Sequence, residues 1–218
     1  LAAWDVSGQS AYGASPLAPS GSDANLTVAG LTRGAGVGTG GTAAARAWGG
    51  NDWVGASAAA AVSAGDHASF ALTANPGYKV SYGSISRFDY RRSASGAQSG
   101  VLQYQIGGGA FVDIAALSYS SSASSGASLA PIDLGGIAAL QDVPAGTTVT
   151  FRIVNYGASG ASGTWYVYDV ANSPAADFEL QGTVSAAGPV DGACGAADGQ
   201  AYASAPVLDL CAVGTASA

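Results

Sequence analysis

The chain reads as all-β: an antiparallel β-sandwich of jelly-roll type, ending in a short disulfide-stapled tail. Three features lead there. Short segments of alternating apolar and polar residues recur up to about residue 185, the signature of half-buried strands. Clusters of Gly, Ser, Asn and Pro, the residues that make turns, separate them. Segments of helical period are scarce, so nothing supplies the crossovers that a parallel sheet needs.

The elements follow in chain order. LAAWDVS, NLTVAGL, HASFALTA and YKVSYGSISRFDY are the first strands. VLQYQIGGGAFVDI is a hairpin, with Leu102, Tyr104 and Ile106 alternating against Gln103 and Gln105 ahead of a Gly107-Gly108-Gly109 turn. TTVTFRIVNY is the clearest strand: Val149, Phe151 and Ile153 share one face, and Thr148, Thr150, Arg152 and Val154 share the other. TWYVYDV and DFELQGTV complete a set of about nine to eleven strands at sandwich-like spacing. A jelly roll sets LAAWDVS beside DFELQGTV, closing the first strand on the last. AAAAVSAG is a short helix by propensity, and LGGIAALQDVP makes a turn or two before Pro144; both are minor connectors.

Alternation stops after Val184, which divides the chain into a sandwich domain, 1–187, and a tail, 188–218. The tail holds the two cysteines of the chain, Cys194 and Cys211. With one histidine besides, they fall short of the four ligands of a structural zinc site, so a disulfide is the better assignment. Closing a loop of this length contributes on the order of 3 kcal/mol by the chain-entropy estimate, enough to order a segment that lacks a core of its own.

The tail sequence DGACGAADGQAYASAPVLDLCAVGTASA resembles the start of a small Cys-containing module found near the C-termini of secreted proteobacterial proteins with an IPTL-type sorting signal. The continuation of that module, a Trp-containing strand with further cysteines and the sorting motif, does not follow, which implies a processed or truncated end at Ala218. The body segments AWDVSGQSAYGASPL, LTRG, AWGGNDW, FDYRRS, LQYQIGGGAFVDI and PAGTTVTFRIVNYGASGASGTWYVYDV resemble β-rich modules of secreted bacterial surface proteins, some attached to extracellular nucleases. The resemblance implies location more than activity.

Composition narrows the function classes. Of 218 residues 48 are Ala, while Leu, Ile, Val and Phe together number 41; ten Tyr and four Trp are left to anchor the core. Charged residues make up 10%, with a net charge of −7, against the roughly 25–35% of an ordinary soluble surface. Such a surface is either a neutral coat of Ser, Thr, Gly and Ala or one covered by neighbouring copies. Seven basic residues in an acidic chain argue against nucleic acid and anionic membranes as partners. The longest run of low polarity, Ala56–Gly65, is too short to enter a membrane as a span. Leu1 in place of an initiator methionine points to a leader that has been removed or lies outside this chain, and paired cysteines to an oxidising compartment, so the expected location is secreted, extracellular or cell-surface.

Candidate chemistry is sparse. Asp66-His67 permits a Ser-His-Asp arrangement, but no G-x-S-x-G elbow surrounds a nucleophile, and a polar residue at a strand start is the simpler account. Asp5, Asp177 and Glu179 converge if the first and last strands pair, giving candidate calcium ligands or an exposed polar face. Asp191 and Asp198 flank Cys194 without the spacing of an EF-hand. Trp48 and Trp53, and separately Tyr166 and Tyr168, are candidate stacking platforms for sugar rings, with burial in the core as the alternative. Arg91 and Arg92 are expected to pair with nearby Asp residues. RGAGVGTGG lacks the GK[ST] of a phosphate loop and is read as loop.

The expected function is therefore a non-enzymatic structural subunit of a bacterial surface filament, sheath or layer, whose partners are copies of itself joined by strand or tail exchange. Val207, Leu208, Leu210 and Val213 are the apolar anchors of that tail. The alternative is a carbohydrate-binding module whose partner is polysaccharide. No cofactor is expected besides the candidate calcium.

Overall fold

The structure, a computed structural model, describes residues 1–188. Cys194, Cys211, Asp191, Asp198 and the anchors Val207, Leu208, Leu210 and Val213 lie outside the described residues. Leu1–Ala186 form one compact unit.

In chain order the strands are β1 (Ala2–Trp4), β2 (Gly21–Ser22), β3 (Leu26–Arg33), β4 (Ala47–Gly50), β5 (His67–Ala74), β6 (Tyr78–Arg92) and β7 (Ser99–Ile106). They continue as β8 (Val112–Ser118), β9 (Ala127–Ser128), β10 (Ile132–Asp133), β11 (Val143–Pro144), β12 (Thr148–Tyr156), β13 (Trp165–Tyr168) and β14 (Phe178–Ala186). One α-helix, α1 (Ala58–Ala64), and a 3-10 turn at Ala138–Leu140 complete the described residues. All strand pairs are antiparallel. The first sheet runs β2-β1-β14-β6-β13-β4, with β9, β10 and β11 also paired to β6, and the second runs β3-β5-β12-β7-β8. The all-β sandwich and the pairing of the first strand with the last are as the alternation predicts, with Ala2 opposite Leu180 and Trp4 opposite Phe178.

The core lies between the sheets. From the second sheet β5 contributes Ala68, Phe70, Leu72 and Ala74, and β12 contributes Val149, Phe151 and Ile153, at the spacing of two that their sequences carry. From the first sheet come Trp4, Tyr82, Phe88, Trp165 and Phe178. Phe151 stacks on Phe70 with centroids 5.2 Å apart and meets Tyr82 of the opposite sheet edge-on, also at 5.2 Å. Trp4 and Phe178 close on Phe70 from above at 5.1 and 5.3 Å. Aromatic pairs at these separations contribute about 0.5–1.5 kcal/mol each beyond their burial.

β6 departs from strict alternation. Its buried large side chains fall at Val80, Tyr82, Ile85, Phe88 and Tyr90, a spacing of two, three, three, two. Two register shifts against β14 explain the threes, because Gly83 and Ser86 are extra residues that face no partner in β14. Each bulge turns the following side chains back toward the core.

Helix α1 is more than a connector. The Ser57 hydroxyl accepts from the Ala60 N–H at 3.2 Å, and Gly65 ends the helix at φ 85°, a conformation that glycine adopts without strain. Ala61 is thereby laid on Val101 and Val154. This is why Val154, assigned to the outer face of its strand, is fully buried.

Phe151→Ala should lower unfolding free energy by about 3–5 kcal/mol, the range for a large buried aromatic, as read from urea denaturation. Thr150→Ala, on the other face of the same strand, should stay within about 1 kcal/mol.

Candidate functional site

The residues predicted for a sugar platform are covered on both sides. β4 ends the first sheet, and its outer edge is roofed by the Gln9–Ser15 segment: the Gly49 N–H donates to Tyr12 O, and Trp48 Nε1 donates to Ala14 O at 2.6 Å. The Arg33 guanidinium sits 5.0 Å from the Trp48 ring and donates to the carbonyls of Tyr12, Gly13 and Gly49. Gly13, at φ 77°, leaves room for that ring, since a Cβ there would stand 2.6 Å from Trp48 Cδ1. Trp53 donates to Gly50 O and packs edge-on to Trp165. Both indoles are wholly buried, so neither offers a face to a ligand, and the platform expectation for Trp48 and Trp53 is corrected to core.

Tyr166 and Tyr168 project on the opposite face of β13 into a second, smaller apolar cluster with Tyr12 and Ala47. Tyr12 stacks on Tyr166 at 5.9 Å and anchors the roofing loop through its hydroxyl to Gly40 O. Tyr168 lies between the guanidiniums of Arg46 and Arg91, at 5.5 and 5.2 Å. These rings are also buried, and the platform expectation fails for them for the same reason: a loop occupies the face that alternation assigns to solvent.

The three acids predicted for calcium engage separate donors. Asp5 Oδ1 accepts from the Ser7 N–H, Asp177 Oδ2 from the Val6 N–H, and Glu179 Oε2 from the Ser86 hydroxyl, each at 2.8 Å. Asp177 precedes β14, so the alternation that would align it with Glu179 does not extend to it. No group of three or more His, Cys, Asp or Glu side chains is placed to hold a metal among the described residues.

Asp177 instead belongs to an acidic junction. The residues 169–177 leave the sheet between β13 and β14, which take up successive stretches of β6, with Val167 opposite Tyr90 and Phe178 opposite Phe88. Asp169 and Asp177 stand at the two lips of that excursion. Asp89 lies across it, its N–H donating to Asp177 O, and all three acids are buried. Arg46 pairs with Asp169 and Arg87 with Asp89. Asp177 Oδ1 has no hydrogen-bond partner among the described residues. Burial first, then the charges of Asp169, Asp89 and Asp5, push the Asp177 carboxyl up to about 6, against the pull of the Val6 N–H.

Asp66 and His67 are not hydrogen-bonded to each other. Asp66 is buried and accepts from the Gly55 N–H at 3.3 Å; burial raises its pKa, with a further push from Asp52. His67 is half-buried with Nδ1 unpartnered, and burial followed by the Arg152 charge lowers its pKa.

One pocket, of about 240 Å³, was not anticipated from the sequence. It opens where β6 ends, beside the Thr42–Ala44 segment. Arg91, Arg92 and Tyr166 line it, together with the hydroxyl-bearing Thr42, Ser93, Ser122, Ser124 and Thr164. Arg92 is nearly buried and donates to Tyr119 O at 2.5 Å, to Ser93 O at 3.1 Å and to Ala94 O at 3.3 Å. Among the described residues, the expected pairing of Arg91 and Arg92 with Asp does not occur. The salt bridges among the described residues use Arg46, Lys79 and Arg87, and the acid closest in sequence, Asp89, is held by Arg87. The sequence signal was present in the doublet itself: two adjacent cations at a strand end, with one nearby acid between them and a third cation.

No protein-family model matches the chain, and neither a curated protein nor a solved structure matches it.

Because the carboxyl of Asp177 titrates higher folded than the ordinary carboxylate value of about 3.9, its stabilising contribution is complete below about pH 4 and is lost as pH rises through about 6. Asp177→Asn should therefore raise the melting temperature at pH 7 relative to the parent and flatten the difference between them toward pH 4. Calorimetric melts across pH 4–7 check it; a lower melting temperature for the variant at pH 7 contradicts it.

Proposed function

We propose that the protein is a non-enzymatic structural subunit of an extracellular bacterial assembly, a filament, sheath or layer, in which a strand from another copy adds to the free edge of β8. The supporting observation is that edge. The first sheet ends in the roofed β4 and the two-residue β2, and β3 is partly covered by the bridge from Leu17 to Leu31. β8 is different. Seven residues long, among the described residues it pairs with β7 alone and exposes Val112, Ala116 and Ser118, with Val112 one of the two large apolar side chains there that are well exposed. Its single charge, Asp113, is engaged by the Gln103 amide at 2.6 Å. A bulge at Ile114 is the one feature that blunts it. An unpaired strand edge of this kind accepts main-chain hydrogen bonds from a second chain, and charges or bulges ordinarily guard against it.

The low charge of the chain and the resemblance of its body and tail to secreted surface-protein modules support the location. In this reading the donor is the tail segment with Val207, Leu208, Leu210 and Val213, whose sequence is apolar and follows Pro206, a residue suited to an edge strand. The disulfide between Cys194 and Cys211 limits the freedom lost on docking. The second reading, a carbohydrate-binding module, is favoured by one observation, the hydroxyl-lined pocket at Arg91 and Arg92.

Val112→Lys with Ala116→Lys places two charges on the β8 edge without touching the core. The pair should abolish ordered polymers in electron micrographs and leave a monomer in sedimentation, while unfolding free energy changes by about 1 kcal/mol or less. Polymers of normal form from this variant remove β8 as the joint.

His67→Ala should leave polymer formation unchanged. A hydrolytic activity that disappears with His67 overturns the non-enzymatic reading.

A further inference from the structure

The seven basic residues of the chain are all among the described residues, and five of them are accounted for. Arg46, Lys79 and Arg87 pair with carboxylates, Arg33 is spent on carbonyls beside Trp48, and Arg152 donates to Gln103 and lies over Phe111. The remaining two, Arg91 and Arg92, line the same pocket, and among the described residues no acidic side chain lines it with them. In a chain of net charge −7 this is a local reversal of sign in a recess, where low-dielectric walls concentrate the field.

The two guanidiniums do different things. Arg92 is tied to four backbone carbonyls, those of Tyr119, Ser93, Ala94 and Ser120, and supplies a fixed charge. Arg91 is opposite Tyr166 in the register of β6 and β13 and rests over the Tyr168 ring at 5.2 Å. A cation–π contact positions a guanidinium without consuming its N–H donors, and a guanidinium with its fork free matches a carboxylate in a bidentate way. Five hydroxyl side chains around them offer donors and acceptors of the kind that meet a sugar's own hydroxyls. The volume, about 240 Å³, is below the roughly 300–1,000 Å³ of sites for drug-sized ligands, which suits one ring rather than several.

We propose that this pocket binds a single uronic-acid residue of an acidic polysaccharide, with Arg91 pairing its carboxylate and the hydroxyl walls meeting its ring hydroxyls. The inference is independent of the assembly through β8, since the pocket and that edge lie on different sheets, and polymer formation by an Arg91 variant separates the two.

The test is calorimetric titration of the full chain with oligogalacturonate at about 50 mM salt, a condition that favours exposed charge pairs. Expected are saturable binding to the parent, a loss of tenfold or more in affinity for Arg91→Ala, and partial recovery in Arg91→Lys, which keeps the charge but not the fork. The fully methyl-esterified oligomer, with the same ring and no carboxylate charge, should not bind. Arg91 is partly exposed at the surface, so its replacement should leave the circular dichroism spectrum unchanged; Arg92 holds four carbonyls and is not used as the probe. The proposal is overturned if oligogalacturonate fails to bind at millimolar concentration, if Arg91→Ala binds it as the parent does, or if the esterified oligomer binds equally well. Binding of a sulfated oligosaccharide in preference to the uronate also overturns the carboxylate assignment.

Discussion

Aromatic rings fill the space between the two sheets, because little else in the chain can. Nearly half of the apolar residues are Ala, and two sheets packed face to face stand about 10 Å apart, a gap that Ala cannot bridge. Twelve of the largest fully buried side chains are Trp, Tyr or Phe, and they include every Trp of the chain. Phe70, Phe151, Phe178, Trp4 and Tyr82 make the contact from sheet to sheet, and the alanines fill between them. Losing one ring from this set removes volume that the small neighbours cannot supply by relaxing, which is why a cavity there is costly.

The same scarcity explains the roofed face of the first sheet. Few charged residues are available to solvate an outer face, so loops carrying Tyr12 and Gly13 fold back over β4 and β13, and arginines bracket the tyrosines there. Where an ordinary sheet places Lys and Glu, this one places a second apolar layer sealed by backbone hydrogen bonds.

Much of the architecture was legible because alternation is a local property. β5 and β12 bury the side chains that their patterns assign to the core, β7 does so at Leu102 and Tyr104 while Ile106 is only partly buried, and β1 meets β14 as a closed sandwich requires. The candidate site was less legible because alternation says which side chains share a face and nothing about what lies on it. Trp48, Tyr166 and Tyr168 were assigned to ligand platforms for want of any sign that the Gln9–Ser15 and Thr42–Ala44 segments cover them. Val154 was assigned outward because a seven-residue Ala-rich helix carries no pattern showing where it docks. Asp177 was aligned with Glu179 because the strand start fell one residue later than the pattern implied. The bulges of β6 were visible as a broken rhythm, though only the register against β14 identifies Gly83 and Ser86 as the extra residues.

The pairing of β1 with β14 has a consequence in time as well as in space. On one side β1 pairs with the early β2, but on the other residues 2–4 find a neighbour only when residues 178–180 are present, so the first sheet of a chain made or exported from its N-terminus closes last. Until then β6 lacks its longest partner, and folding is governed by contacts of high sequence separation, the class that forms slowly and leaves strand edges open in the interval. Newly emerged chains in proximity therefore meet while β6 still lacks β14. For such a sequence the hazard of joining to the wrong strand is greatest before completion, and the low count of large apolar residues outside the rings keeps that incomplete state from being more adhesive than it is.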